Sequence, residues 1–543
     1  MVPVCRTGTD IVFDVLAAVR RFLVINPAPG RWQFAVRAAI CMAVPVLVGW
    51  LLGDTGAGLI AVIGGFTSLY GSGRPYRNRA GYLATIAGCF ATAVALGDWA
   101  AAIPWLGLVT ITAIAMVAVL VCHALGVGPP GAFMFVLGCA AGTATAATHL
   151  PPWHIGLLVL AGGAFSWVVH MLGALWELLL GEQRGRGKHG PEIRAVAAAR
   201  TAVERYRSSC DNTDRHLAAK ALHHAWTTLV NYQPTHVKPD AVVDRLRAEN
   251  LHLHRLFGAI VNGAPLPASP PAENSARLPL GRPGNAALLR RALTPGSESM
   301  RVTLRVGVAV ALSGVTALLF TADHSYWAMA AAVLVLYQGF DWSRTVQRGA
   351  ERMVGTLLGL GLAAAILAWQ PQGWWLVAVV AVLQFAIEMF VVRNYTIAVI
   401  FITPLALTIA AGGRPVADLG HFLVTRGLDT VIGCVIALLV YWVALRRHGP
   451  APLNAALART VAATRRTDVH LQAGAVGSAP ARAARRDLQL SALALLETYQ
   501  AAIGGSAVQR AEAERLWPTV ATTEQDAYRT LAACWVREHP ENS

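Results

Sequence analysis

The stretch HSYWAMAAAVLVLYQGFDWSRTVQRGAERMVGTLLG, residues 324–359, decides the reading of the fold. An apolar run gives way to a block holding Arg344, Arg348 and Arg352, and the chain then turns apolar again. Two membrane spans joined through a basic loop produce that alternation. The composition agrees with it. Of 543 residues, 55% are hydrophobic and 14% charged. A soluble protein of this length needs more charge to cover its surface, so much of the chain must face lipid.

Working outward, apolar spans fall into two clusters. The first runs roughly over 33–53, 57–71, 80–97, 104–125, 129–148 and 154–181, the second over 301–321, 326–340, 350–369, 373–392, 394–412 and 420–445. The second span of each cluster is short. Basic residues alternate between loops: Arg6, Arg20, Arg21 and Arg31 precede the first span, Arg74, Arg77 and Arg79 follow the second, and Arg184, Arg186 and Lys188 follow the sixth. The intervening loops hold Asp54, Asp98 and His149. The second cluster repeats the pattern with Arg290 and Arg291, then Arg344, Arg348 and Arg352, then Arg393, then Arg446 and Arg447, against Asp323, His324, Arg414 and Asp418. Cytoplasmic flanks carry Arg and Lys, so both termini and the middle segment are expected in the cytoplasm.

The basic loop occurs twice. A slide of about 268 residues lays residues 37–80 on 305–350, so that Arg37 meets Arg305 and Gly71 meets Gly339. Both copies start at the same side, which predicts a parallel repeat with substrate sites between its halves. The expected fold is therefore all-α and polytopic: an N-terminal segment, 1–32, with an interfacial helix near 11–24; a first transmembrane half, 33–181; a cytoplasmic helical domain with a Pro-rich linker, 182–297; a second half, 298–446; and a C-terminal cytoplasmic helical domain, 447–543. Each polar segment reads as its own helical bundle. With the inner loops they hold most of the net charge of +15, so that charge needs no nucleic-acid partner.

The motif Tyr326-Trp327, then Arg344, Arg348 and Arg352, then Gly355-Thr356 and Gly359, resembles the fusaric acid resistance family, related to aromatic acid exporters. The membrane–soluble–membrane–soluble layout resembles it too. In the N-terminal copy Gly58-Leu59 stands in place of Tyr-Trp. The resemblance implies proton-linked or otherwise driven efflux of organic acids, often aromatic, across an inner membrane. A periplasmic adaptor and a homo-oligomer are candidate partners, alongside membrane lipid. The Ala, Arg and Gly content points to a GC-rich bacterial genome.

Ionisable groups inside spans are costly, so each is a candidate for transport chemistry. Glu388 can exchange protons with a pathway, or can pair with Arg393 near the inner face. Arg426 and Asp429, three apart on one helical face, can bind a carboxylate when opened, or lock two helices together. Arg37 and Arg305 can draw anions from the cytoplasm, or snorkel to headgroups. His170, seven residues before Glu177, can relay protons or simply hydrogen-bond between helices. Tyr326 and Trp327 fit an aromatic belt at the outer interface and could also stack on an aromatic substrate. Gly49/Gly53, Gly138/Gly142 and Gly355/Gly359 have spacing that allows close helix contact.

Neither a metal nor a cofactor is expected. The eight cysteines are scattered, with no CxxC pair, and most sit in apolar runs. No phosphate loop, HExxH or GxSxG motif appears, and no enzyme is indicated. The soluble histidines His216, His223, His224, His236, His252 and His254 lack Cys or acidic partners at ligand spacing. The expected function is export of organic anions. A passive anion channel, or a scaffold that recruits envelope proteins without transport, are the alternatives.

Overall fold

In the computed structural model the apolar stretches are helices. The structure describes residues 24–28, 30–145, 150–180, 189–232, 240–265, 284–320, 325–337, 342–447, 452–504 and 507–538, and no strand occurs among them. The first cluster holds α1 (Arg31–Leu51), α2 (Thr55–Gly65), α3 (Tyr76–Ala100), α4 (Pro104–Ala124), α5 (Phe133–Thr145) and α6 (Pro152–Leu180). A polar stretch follows with α7 (Gly190–Ser209), α8 (Asn212–Trp226) and α9 (Ala241–Asn262). The short α10 (Asn285–Ala292) leads into α11 (Glu298–Phe320), α12 (Tyr326–Leu336), α13 (Trp342–Trp369), α14 (Trp374–Phe390), α15 (Tyr395–Ala410) and α16 (Leu419–Arg447). The chain closes with α17 (Pro452–Gln472), α18 (Ala479–Ile503) and α19 (Ala507–Glu538).

Several expectations lie outside the described residues: the interfacial helix up to Val24, Arg6, Arg20, Arg21, Arg184, Arg186, Lys188, His149, His236, Asp323, His324, Gly339 and most of the Pro-rich linker. So do the side chains of Glu177, Arg446 and Arg447.

Local chemistry sets the helix starts. Pro104 opens α4 and Pro152 opens α6, where the N–H that proline lacks would be unpaired anyway. The Asp54 carboxylate accepts the Ala57 N–H at 2.9 Å to cap α2, and the Asn394 side chain accepts the Ile397 N–H at 3.1 Å to cap α15. Seven of the described helices, α1, α3, α4, α6, α11, α13 and α16, are long and apolar enough to cross a bilayer; α2, α5, α12, α14 and α15 are apolar but shorter. The chain is thus a polytopic all-α membrane protein. The arginine block is corrected here: Arg344, Arg348 and Arg352 lie inside α13 rather than in a loop. Their spacing of four continues the helical register, so they step along one face from exposed Arg344 to buried Arg352.

Two compact units emerge. One comprises both apolar clusters, α1–α6 as far as Met171 and α10–α16. Within it α1 packs on α2 and α14, while α11 packs on α12 and α4. In each case the first helix of one cluster meets the fourth of the other. Likewise α12 packs on α16 and α13 on α15, while glycine contacts bring α2 against α6 and α3 against α5. All eleven residues of α12 are buried, which places this short helix in the centre of the second cluster.

The other unit comprises Ser72–Gly81, the end of α6, α7–α9 and α17–α19. The two polar segments, read from sequence as separate bundles, share one core in which Tyr206, Trp226 and Phe257 meet Leu488, Tyr528 and Trp535. The amphipathic helices pack within each segment, and α9 of the first also packs on α19 of the second. Arg215 donates to Glu524 across that core at 2.6 Å, with the Glu524 side chain fully buried. Burial raises the Glu524 pKa against the opposing pull of Arg215. The His254 ring stacks on Trp535 at 4.6 Å and donates its Nδ1–H to the Asn250 carbonyl at 2.8 Å. Burial holds its pKa down to about 4. His216 is also lowered, by burial first and by Lys220 second.

Candidate functional site

Glycines decide how closely the helices of the second cluster approach. A Cβ on Gly433 would stand 2.2 Å from the Ala328 carbonyl oxygen, so α16 and α12 touch backbone to backbone. A Cβ on Gly355 would meet the Thr396 carbonyl oxygen at 2.7 Å, and one on Gly359 the Ile400 carbonyl oxygen at 2.9 Å, which seats α13 on α15. These contacts draw three charged side chains into a low-dielectric interior. Arg352 of α13 is 2% exposed, Arg426 of α16 is 1% and Asp429 is 0%. The Arg426 guanidinium carbon sits 3.8 Å from the Trp327 ring centre, and the Tyr326 ring lies 5.0 Å from that of Trp327. Arg352, Asp429 and Tyr326 all act electrostatically on Arg426.

Among the described residues two guanidinium groups thus face one carboxylate. Each arginine also leaves Nε and Nη1 without a hydrogen-bond partner among the described residues. Taking an ion out of water costs several kcal/mol unless it is paired and hydrogen-bonded. A buried cluster with one surplus cation and unused N–H donors is chemically suited to a carboxylate or another anion. The Trp327 and Tyr326 rings beside it suit an aromatic group. This burial corrects the aromatic-belt reading: Tyr326 and Trp327 are 7% and 4% exposed and face the helix core, because α12 touches helices on every side.

The first cluster is built differently at the corresponding helices. A Cβ on Gly162 of α6 would stand 1.9 Å from the Ala61 carbonyl oxygen of α2. Buried polar groups nearby include Thr67, Ser68, Ser166 and His170. The His170 Nδ1–H donates to the Ser166 carbonyl at 3.0 Å within its own helix.

Glu388 belongs to a second group. The structure pairs it with Arg31, Nη2 to Oε2 at 2.6 Å, instead of Arg393. The reason is geometric, since α1 lies along α14 and carries Arg31 to the end of that helix. Arg31 Nε also donates to the Glu388 carbonyl at 2.9 Å, and Gln384 donates to Oε1 at 3.1 Å. Arg393 donates instead to the Ala28 carbonyl at 3.3 Å, and Asn394 to the Val24 carbonyl at 3.2 Å, so the segment before α1 is tied to the turn between α14 and α15. Arg37 and Arg305 do not share an environment. Arg37 is exposed, whereas Arg305 is half-buried with its guanidinium 4.6 Å from the Tyr441 ring centre. Arg348 stacks on Tyr395 at 3.4 Å and lies 3.6 Å from Glu351.

Of the residues singled out from the sequence, the structure brings together Arg352, Arg426, Asp429, Tyr326 and Trp327. It leaves Arg37, Arg305, His170 and Glu388 apart from them. Sequence reading missed Arg31 as the partner of Glu388, 357 residues away, for which no local signal exists. It also took Arg352 for a topology marker. Its position two turns past Arg344, in register with Gly355 and Gly359, was the available sign that it is helical and close-packed. Among the described residues no group of three His, Cys, Asp or Glu side chains could hold a metal.

Residues 309–440, which contain this cluster, match the family described as fusaric acid resistance protein-like. The chain is 26% identical over 565 residues to an uncharacterized membrane protein, YvaC, of Bacillus subtilis (strain 168), an alignment that covers 96% of this chain and 88% of that protein. It is 34% identical over 142 residues, 25% of this chain and 18% of the relative, to the uncharacterized protein slr1298 of Synechocystis sp.. No solved structure matches.

Proposed function

We propose that this membrane protein, whose second half carries the fusaric acid resistance protein-like domain, exports organic carboxylates, aromatic ones above all, across a bacterial inner membrane. The observation that carries this reading is the surplus buried cation among Arg352, Arg426 and Asp429, with N–H donors unused. Arg binds a carboxylate through two parallel hydrogen bonds, and the Trp327 ring offers a face for an aromatic substrate. The alternation of basic loops supports cytoplasmic termini, and export is the proposed direction. Short second helices in corresponding positions of both clusters, α2 and α12 with eleven residues each, support a repeat architecture with its pathway beside them. Protons are the proposed driving ion, with Glu388 and Arg31 as the group that opens and closes.

A passive anion channel is the second reading. It is favoured by the pairing of Glu388 with Arg31 and Gln384, which engages that carboxylate in contacts between helices and within its own helix.

The test is uptake of labelled aromatic and aliphatic carboxylates into everted vesicles, with and without a pH gradient. Gradient-driven uptake is expected in the wild type. Arg426→Gln and Arg352→Gln are each expected to raise the half-saturation concentration ~10–100-fold, the loss of charged hydrogen bonds worth ~1.5–3 kcal/mol. Uptake indifferent to the gradient selects the channel. No uptake of any acid overturns both readings.

A further inference from the structure

A third arginine–aromatic group lies at one end of the membrane unit, away from the buried cluster. Arg305, about 10 Å into α11, stacks on Tyr441 near the end of α16 at 4.6 Å. Tyr441 stacks in turn on Trp342, the first residue of α13, with ring centres 5.8 Å apart. Trp342 also lines a groove of about 320 Å³ between α13 and α16, together with Val435, Leu438, Leu439 and Trp442. Val435, Leu439 and Trp442 are 43%, 54% and 40% exposed, and they continue the exposed stripe of Val424 and Leu428 along α16. The groove therefore opens sideways, on the face that a spanning helix turns to lipid.

Its rim is basic. Arg301, exposed, stands one turn before Arg305 on the same face of α11. Arg344, exposed, follows Trp342 by two residues on α13. Arg305 keeps Nε buried without a hydrogen-bond partner among the described residues. An apolar slot flanked by two tryptophans and topped by arginines has the two-part chemistry of a lipid with a negative headgroup.

We propose that this corner binds one anionic phospholipid, its acyl chain in the groove and its phosphate on Arg305 and Arg301. Five lining residues are too few for a stable contact with a second copy of the chain, which needs on the order of 800 Å² from each partner. The site is independent of the transport reading: it uses neither Arg352 nor Arg426.

The test is native mass spectrometry of the delipidated full chain in detergent. It is titrated with phosphatidylglycerol, with phosphatidylcholine of the same acyl chains, and with glycerol phosphate as the headgroup alone. One phosphatidylglycerol is expected to be retained in preference to phosphatidylcholine, by about fivefold for each arginine engaged. Glycerol phosphate is expected to bind far more weakly. Arg305→Gln and Arg301→Gln should each reduce the preference, and Trp342→Ala with Trp442→Ala should weaken both lipids alike. Arg414→Gln, on an exposed loop elsewhere, should change nothing. Because Arg301 is exposed, its variant keeps the test decisive if Arg305→Gln fails to fold. Equal retention of the two lipids, a preference unchanged in both arginine variants, glycerol phosphate binding as tightly as the lipid, or a dimer that lipid does not displace would each overturn the proposal.

Discussion

Arg352 and Asp429 are both buried and charged, but their removal should have opposite consequences. Replacing Asp429 with Asn removes the one carboxylate that the two buried guanidinium groups face among the described residues, and breaking a buried pair in that way costs ~3–5 kcal/mol. Arg352→Met leaves Arg426 and Asp429 balanced. Thermal unfolding in detergent should place Asp429→Asn well below the wild type and Arg352→Met at or above it, although Arg352→Met loses carboxylate uptake. Equal destabilisation by both would mean the cluster is a structural lock. His254 gives a pH prediction in the second unit. Its pKa of about 4 lies below the ordinary value near 6.5, so the unfolded chain takes up a proton first as pH falls. The stability this neutral histidine contributes is complete above about pH 6.5 and is lost between there and pH 4. Glu524 has the reverse sign: its raised pKa means that ionisation is harder in the fold, so its contribution falls as pH rises. Hydrogen exchange in α9 and α19 should accelerate as pH is lowered through that window, after correction for intrinsic rates, and His254→Gln should flatten the dependence.

At the scale of the helix, close approach is set by residues without side chains. Gly433→Ala would push a methyl group into the Ala328 carbonyl and force α16 off α12. Overpacking of this kind costs ~1–3 kcal/mol, and here it also displaces Arg426 from Trp327. Gly361, on α13, has nothing within 4 Å of an added Cβ. Gly361→Ala should therefore stabilise by ~0.5–1 kcal/mol through helix propensity alone. Melting temperatures of the two variants should move in opposite directions. The helices themselves were legible in the sequence because apolar length and flanking charge are local properties. The apolar run at 326–340 and the helix Tyr326–Leu336 coincide for that reason. The buried site was legible only in part. Arg426 and Asp429 stand out as charges inside a span, whereas Arg352 looks like one more basic flanking residue until α13 is seen to continue through it. The pairing of Arg31 with Glu388 was not legible at all, since it depends on α1 lying along α14.

At the scale of the molecule, the basic loops make a prediction about sidedness. Cys210 is exposed in the second unit. In a variant keeping it as the sole cysteine, an impermeant maleimide should label it in everted vesicles and not in right-side-out ones. The opposite result would invert the proposed topology. That the two polar segments make one core was also hidden in the sequence, because an amphipathic helix declares that it needs a partner without saying which one. The wholly buried α12 has a consequence for how the protein is made. At eleven residues it reaches only ~16 Å, about half of the ~30 Å hydrocarbon layer, so it cannot hold a stable place in lipid by itself as it leaves the ribosome. Its shelter includes α16, whose synthesis starts only at Leu419. Insertion of this half should then be all-or-none instead of helix by helix. Nascent chains truncated before Leu419 should leave Tyr326–Leu336 open to protease, and chains extended past Arg447 should protect it.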